Sequence, residues 1–115
     1  MKHVDYKSVK FEPFEGADAR GAGIRWLIGD KDGAENFAMR MIEIDPGGYS
    51  PCHSHKSEHE VFVWRGKGEL RLEGSNHPLL PGTAVFVPGE VLHQFVNVSE
   101  SEKLEFICVV PIKKP

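Results

Sequence analysis

The chain has 115 residues, 40% of them hydrophobic and 27% charged, with a formal net charge of −3. That length supports one domain with its own core and not two, and the balance excludes a disordered tail or a membrane-spanning protein. No basic cluster exceeds the terminal Lys113-Lys114, so a phosphate backbone finds little to bind and nucleic acid is not an expected partner.

The opening residues lack the apolar run of a signal peptide, and no later stretch reaches the length a bilayer requires, so a cytoplasmic protein is expected. In that reducing compartment Cys52 and Cys108 are expected as free thiols. Residues to about 30 are interrupted by Gly16, Gly21 and Gly23; they are expected to be irregular, with a neighbouring subunit as a place to pack. Beyond Gly29 to Glu35, turn signals recur at Asp45-Pro46-Gly47-Gly48, Arg65-Gly66-Lys67-Gly68, Glu73-Gly74-Ser75-Asn76, Pro81-Gly82 and Pro88-Gly89. Between them lie β-rich segments: Val61 to Trp64, Ala84 to Val87, Gln94 to Val98 and Phe106 to Val110. Strands this short cannot each bury a face alone, so the expectation is one all-β domain over 1–115, a sandwich or a closed barrel of the jelly-roll kind.

Histidines dominate two segments: His53, His55 and His59 in one, His93 in the other. Residues two apart on an extended strand project to one face, so His53 and His55 can grip one ion together. His59 follows after a change of direction, and His93 completes the cage from a distant strand. Imidazole nitrogens in such numbers suit manganese, iron, cobalt, nickel, copper or zinc rather than calcium or magnesium. His3 and His77 stand alone and are read as surface residues.

The frame around these histidines resembles the two motifs of the cupin superfamily. The first runs glycine, five residues, His-x-His, three or four residues, glutamate, six residues, glycine; Gly47, His53, His55 and Gly66 match it, and His59 stands where the glutamate belongs. Glu60 occupies the looser spacing that the motif also permits and is the alternative ligand; on a strand only one of the two faces the metal. The second motif, glycine, five residues, Pro-x-Gly, two residues, histidine, three residues, asparagine, is met by Gly82, Pro88, His93 and Asn97, with Glu90 in place of its second glycine. The motifs span 47–97. The resemblance implies the double-stranded β-helix barrel and a homodimer. An all-histidine first motif is similar to that of small single-domain bacterial cupins described as manganese-binding. One divalent metal per chain is therefore expected, manganese first, then iron, zinc, nickel or copper.

Strand alternation fills in the pocket. If His93 faces inward, so does Phe95; with Glu43 in solvent, Arg40, Ile42 and Ile44 turn inward, and Met39 and Met41 line a second sheet or a dimer interface. Arg40 then either orients a carboxylate or enolate substrate or pairs with a core acid. Phe106 and Cys108 share a face, and if it is the inner one Cys108 lies near the metal or serves as a small core hydrophobe. Trp26 and Trp64 are read as core or subunit-contact residues. The function expected first is a metal-dependent dioxygenase on a small oxygenated substrate; the alternatives are a non-redox isomerase or lyase and a non-catalytic binding barrel. Ligating imidazoles must be neutral, so metal affinity is expected to fall as pH drops through about 6.5.

Overall fold

The computed structural model describes residues 1–16 and 18–112; the Lys113-Lys114 pair lies outside them. Its spine is β3 (Phe37–Tyr49), the longest strand. Alternating apolar residues on β3 bury Ala38, Ile42 and Ile44 on one face, and its length lets it pair with three neighbours. Around it lie β1 (Phe11–Pro13), β2 (Arg20–Ile28), β4 (His59–Arg65), β5 (Gly68–Leu72), β6 (Ser75–Leu79), β7 (Ala84–Val87), β8 (His93–Asn97) and β9 (Leu104–Pro111).

All pairings between these strands are antiparallel, and the sheet runs β6-β5-β8-β3-β9-β4-β7, with β2 also on β3 and β1 on β2. The sheet curls so that its two halves share one core. Leu70, Leu79 and Phe95 come from the β6-β5-β8 half, and Ile44, Val61, Val63 and Phe106 from the other. The only helices among the described residues are the 3-10 turns Tyr6–Ser8 and Asp30–Asp32, and none is long and apolar enough to cross a membrane.

Glu43, expected in solvent, is buried on the outer face of β3, where Arg25 and Lys103 pair with it. Two further expectations need correction. The segment before residue 30, expected to be irregular, contains β1 and β2, and β2 pairs with β3 of the same chain from Arg20 to Ile28. The glycines that hid this strand are what let it pack: a Cβ on Gly23 would lie 2.3 Å from the Phe11 ring. The second correction is at Asp45 to Gly48, read as a turn, where β3 continues through a bulge that takes its register from Ala22↔Ile44 to Arg20↔Tyr49. Gly47 holds φ 73° there, a left-handed conformation that other residues resist. The other punctuation falls where strands meet. Gly66, at φ 90°, closes the β4–β5 turn against the Lys103 carbonyl, where a Cβ would approach to 2.3 Å.

The motif asparagine, Asn97, has a structural task. Buried at the end of β8, its Nδ2 donates to the carbonyls of Ile44 and Glu102 at 2.9 and 2.8 Å, and its Oδ1 accepts from Ser99 N. It ties β3 to the β8–β9 turn and so fixes the strand that carries His93.

Candidate metal centre

His59 begins β4 and His93 begins β8, whereas His53 and His55 sit in the loop 50–58 between β3 and β4. The strand geometry expected for that pair is absent. A single bridge replaces it: His53 and His93 exchange backbone hydrogen bonds of 3.1 and 3.0 Å. The backbone N–H of Glu90 donates to the His55 carbonyl at 2.7 Å, so the turn of one motif holds the loop of the other.

These anchors gather the rings. His53 and His55 have centroids 4.9 Å apart, His53 and His93 5.5 Å, and His55 stacks on His59 at 4.2 Å. One ring nitrogen each from His53, His55 and His93 falls within 4.8 Å of the other two, a separation that one ion can bridge. His59 stands beside this trio rather than within it, its Nδ1 turned 3.3 Å from Cys108 Sγ. Glu60 is exposed on the outer face of β4, opposite Phe86 and Val109, and points away from the rings.

The second contacts fit a metal. Nδ1 of His93 lies 2.9 Å from the Val91 carbonyl and Nδ1 of His55 3.3 Å from the Ser57 carbonyl. A carbonyl only accepts, so each Nδ1 carries the proton and leaves Nε2 with its lone pair for an ion. Burial also favours the neutral form of three of the rings. It lowers the pKa values of His53 and His55 and, with the positive charge of Arg40, pushes that of His59 down to about 3. The donor set suits a divalent transition ion.

The rings open into a cavity of about 460 Å³, and the residues expected at the pocket, Arg40, Ile42, Phe95, Phe106 and Cys108, all line it. Arg40 has no core acid as partner: its Nη2 donates to Cys108 Sγ at 2.8 Å, and burial raises the Cys108 pKa against the opposing pull of Arg40. Trp26 was missed as a pocket residue. It lines the cavity with Arg40 Cζ 5.4 Å from its ring centre, because Trp26 pairs with Arg40 across β2 and β3 and the two share a face. The alternation Ala22, Ile24, Trp26, Ile28 carried that signal.

Known proteins place this architecture. The chain is 34% identical to the polyketide cyclase RemF from Streptomyces resistomycificus, whose structure superposes with a TM-score of 0.90 over 100% of this chain and 82% of RemF. It is 31% identical over 104 residues to Protein SchB of Streptomyces halstedii, covering 89% of this chain and 75% of SchB. With the polyketide synthase CurC of Streptomyces cyaneus it shares 32% identity over 85 residues, 72% of this chain and 55% of CurC. The all-β barrel is thus a cupin jelly roll. Residues 40–110 match the Cupin domain, and the chain belongs to the cupin family.

Proposed function

We propose that this protein is a metal-dependent enzyme that cyclises or isomerises a polycarbonyl substrate of the polyketide type without redox chemistry. The observation that carries the reading is the convergence of imidazoles on one wall of an apolar cavity of about 460 Å³, a size suited to a small organic molecule. Similarity to a polyketide cyclase supports the non-redox alternative over the dioxygenase expected first.

His53, His55 and His93 would hold the ion, with His59 as the fourth ligand and manganese, iron, zinc, nickel or copper as candidates. A bound divalent ion supplies Lewis acidity, polarising a carbonyl oxygen and favouring its enol form. The chain's own residues do the rest. Phe95, Phe106 and Ile42 exclude water from the reacting carbons and give a flat substrate an apolar wall. Cys108 contacts the Nδ1 side of His59, which would leave Nε2 for the ion.

The protein is further proposed to be a cytoplasmic homodimer. Exposed Phe62, Trp64 and Phe86 on the outer face of β4 and β7 support a partner surface, and the two free thiols support a reducing compartment.

Elemental analysis of protein purified without added metal or an affinity tag tests the centre, in wild type, His59→Ala and Glu60→Ala. Near-stoichiometric metal, lost in His59→Ala and kept in Glu60→Ala, is the expected result; the reverse transfers the ligand role to Glu60. Cyclisation of a poly-β-ketone without oxygen uptake would support the non-redox reading, and oxygen consumption would restore the dioxygenase.

A further inference from the structure

Arg40 is the only Arg or Lys among the described residues that line the cavity. A guanidinium taken from water needs an anion or a full set of acceptors, because burying an unpaired charge is costly. Arg40 has neither. Its Nε is sealed from solvent and has no hydrogen-bond partner. Its Nη2 is spent on the Cys108 sulfur, a weak acceptor that does not neutralise a positive charge.

No carboxylate among the described residues lies within ion-pair reach of it. The buried acids Glu43 and Glu105 occupy the opposite face of the sheet, where Arg25, Lys103 and Tyr6 already engage them. The one acid in the cavity lining, Asp30, is exposed and forms no ion pair with Arg40. Arg40 is therefore the one permanently positive side chain among the described residues of this wall.

The surroundings define what would complete it. A planar group with two oxygens matches the guanidinium fork once it displaces the weak sulfur contact at Nη2, and Trp26, beneath it, offers a flat aromatic face. The contacts Arg40–Cys108 at 2.8 Å and Cys108–His59 at 3.3 Å place this corner one side chain from the histidine cluster. We infer that Arg40 and Trp26 form an oxyanion-binding subsite that receives a delocalised oxyanion, carboxylate or enolate, conjugated to a flat ring. Binding there would orient the rest of the molecule toward the histidines. The subsite rests on the reading of the cavity as the substrate site, but not on the identity of the metal.

The test follows Trp26 emission in a Trp64→Phe background, which removes the exposed second tryptophan on the outer face. Protein as purified is titrated with naphthoate, with the enolate of indandione and with neutral naphthamide, and the metal content of every sample is measured. At least one anion should bind about tenfold or more tightly than naphthamide, as expected for a charge-assisted pair in a desolvated site. Naphthoate alone would identify a carboxylate as the physiological group, and indandione alone an enolate. Arg40→Gln should remove about tenfold or more of the anion affinity and leave naphthamide within about twofold. Arg40→Lys, which keeps the charge and loses the fork, should retain part of it, and it is the variant to read if the Gln form fails to fold. Anions that bind no better than naphthamide, or whose affinity is indifferent to Arg40, overturn the subsite. Arg40-dependent anion binding in metal-free wild type would leave the subsite standing and sink the metal reading; a full metal complement with no Arg40 dependence would do the reverse.

Discussion

Two arginines on adjacent strands show how the two faces of this sheet differ. Arg25 on β2 turns outward, donates to Glu43 and to the carbonyls of Lys7 and Val9, and shares Glu43 with Lys103. Arg40 on β3 turns inward and receives one thiol. The outer cluster is paired and ties the N-terminal segment to the sheet. The inner one is left incomplete beside the histidine cluster. Satisfied charges secure a fold, whereas unsatisfied ones in a cavity wall are a reservoir for binding.

Acid should break the inner face first and with the largest effect. The folded-state pKa of His59 is lowered to about 3 and those of His53 and His55 are also lowered, while the unfolded chain titrates near the ordinary 6.5. Unfolded protein therefore binds protons first, and stability is lost progressively as pH falls below about 6.5 toward the folded-state values. Above that range these groups contribute nothing to the pH dependence. Thermal melts of metal-free protein between about pH 7 and pH 4 should show this fall, and His59→Phe should flatten it. An equal slope in the variant would mean that His59 is not the group responsible.

The outer cluster should fail next, under mutation. Glu43→Gln leaves Arg25 and Lys103 without their carboxylate and should cost about 3 kcal/mol, the range for breaking one partner of a buried pair. For a chain of this length that lowers Tm by roughly 10 °C or more. Arg40→Gln removes a charge with no carboxylate partner, only the Cys108 and Trp26 contacts, and should change stability by no more than about 1 kcal/mol. Equal destabilisation by the two changes would erase the distinction between the clusters.

What the sequence made legible follows the same division. The barrel, the meeting of His53, His55 and His93 and the inward face of Arg40, Ile42 and Phe95 could be read from motif spacing and the two-residue period, which report directly on local geometry; for Phe106 and Cys108 the period gave a shared face but not which one. β2 was hidden because the glycines that permit close strand packing read as interruptions, and the alternation that places Trp26 on the inner face went unread with it. His53 and His55 converge for a reason other than the one expected: a loop held by the His53–His93 bridge and the Glu90–His55 hydrogen bond, contacts between residues distant in sequence. Nor does alternation say that Arg40 lacks a carboxylate, since that depends on what the facing strands supply.

Cys108 joins the two halves of the inner site and gives a finer test. Cys108→Val keeps the apolar bulk but removes the acceptor of Arg40 Nη2 and the polar partner of His59 Nδ1. Metal affinity in a chelator competition should fall about tenfold, as for other groups that orient a ligand, with stability changed by less than about 1.5 kcal/mol. Cys108→Ser, which restores an acceptor, should recover most of the affinity. If valine and serine behave alike, the sulfur only fills space.

The smallest effect belongs to the turn where this chain departs from the family's second motif. Gly89 cannot carry a side chain, because its Cβ would meet the Lys56 carbonyl at 2.3 Å. The next residue, Glu90, adopts the left-handed conformation at φ 68° that the motif assigns to glycine. Its backbone N–H is what binds the His55 carbonyl, so the turn keeps the motif's geometry at the expense of local strain. Glu90→Gly relieves that strain but frees the unfolded chain, and the two effects leave a net gain of about 0.5 kcal/mol. The expected readout is a rise in Tm of about 2 °C with metal affinity unchanged, since the hydrogen bond to His55 comes from the backbone. A loss of metal affinity would show that the Glu90 side chain, and not the shape of the turn, supports the histidine loop.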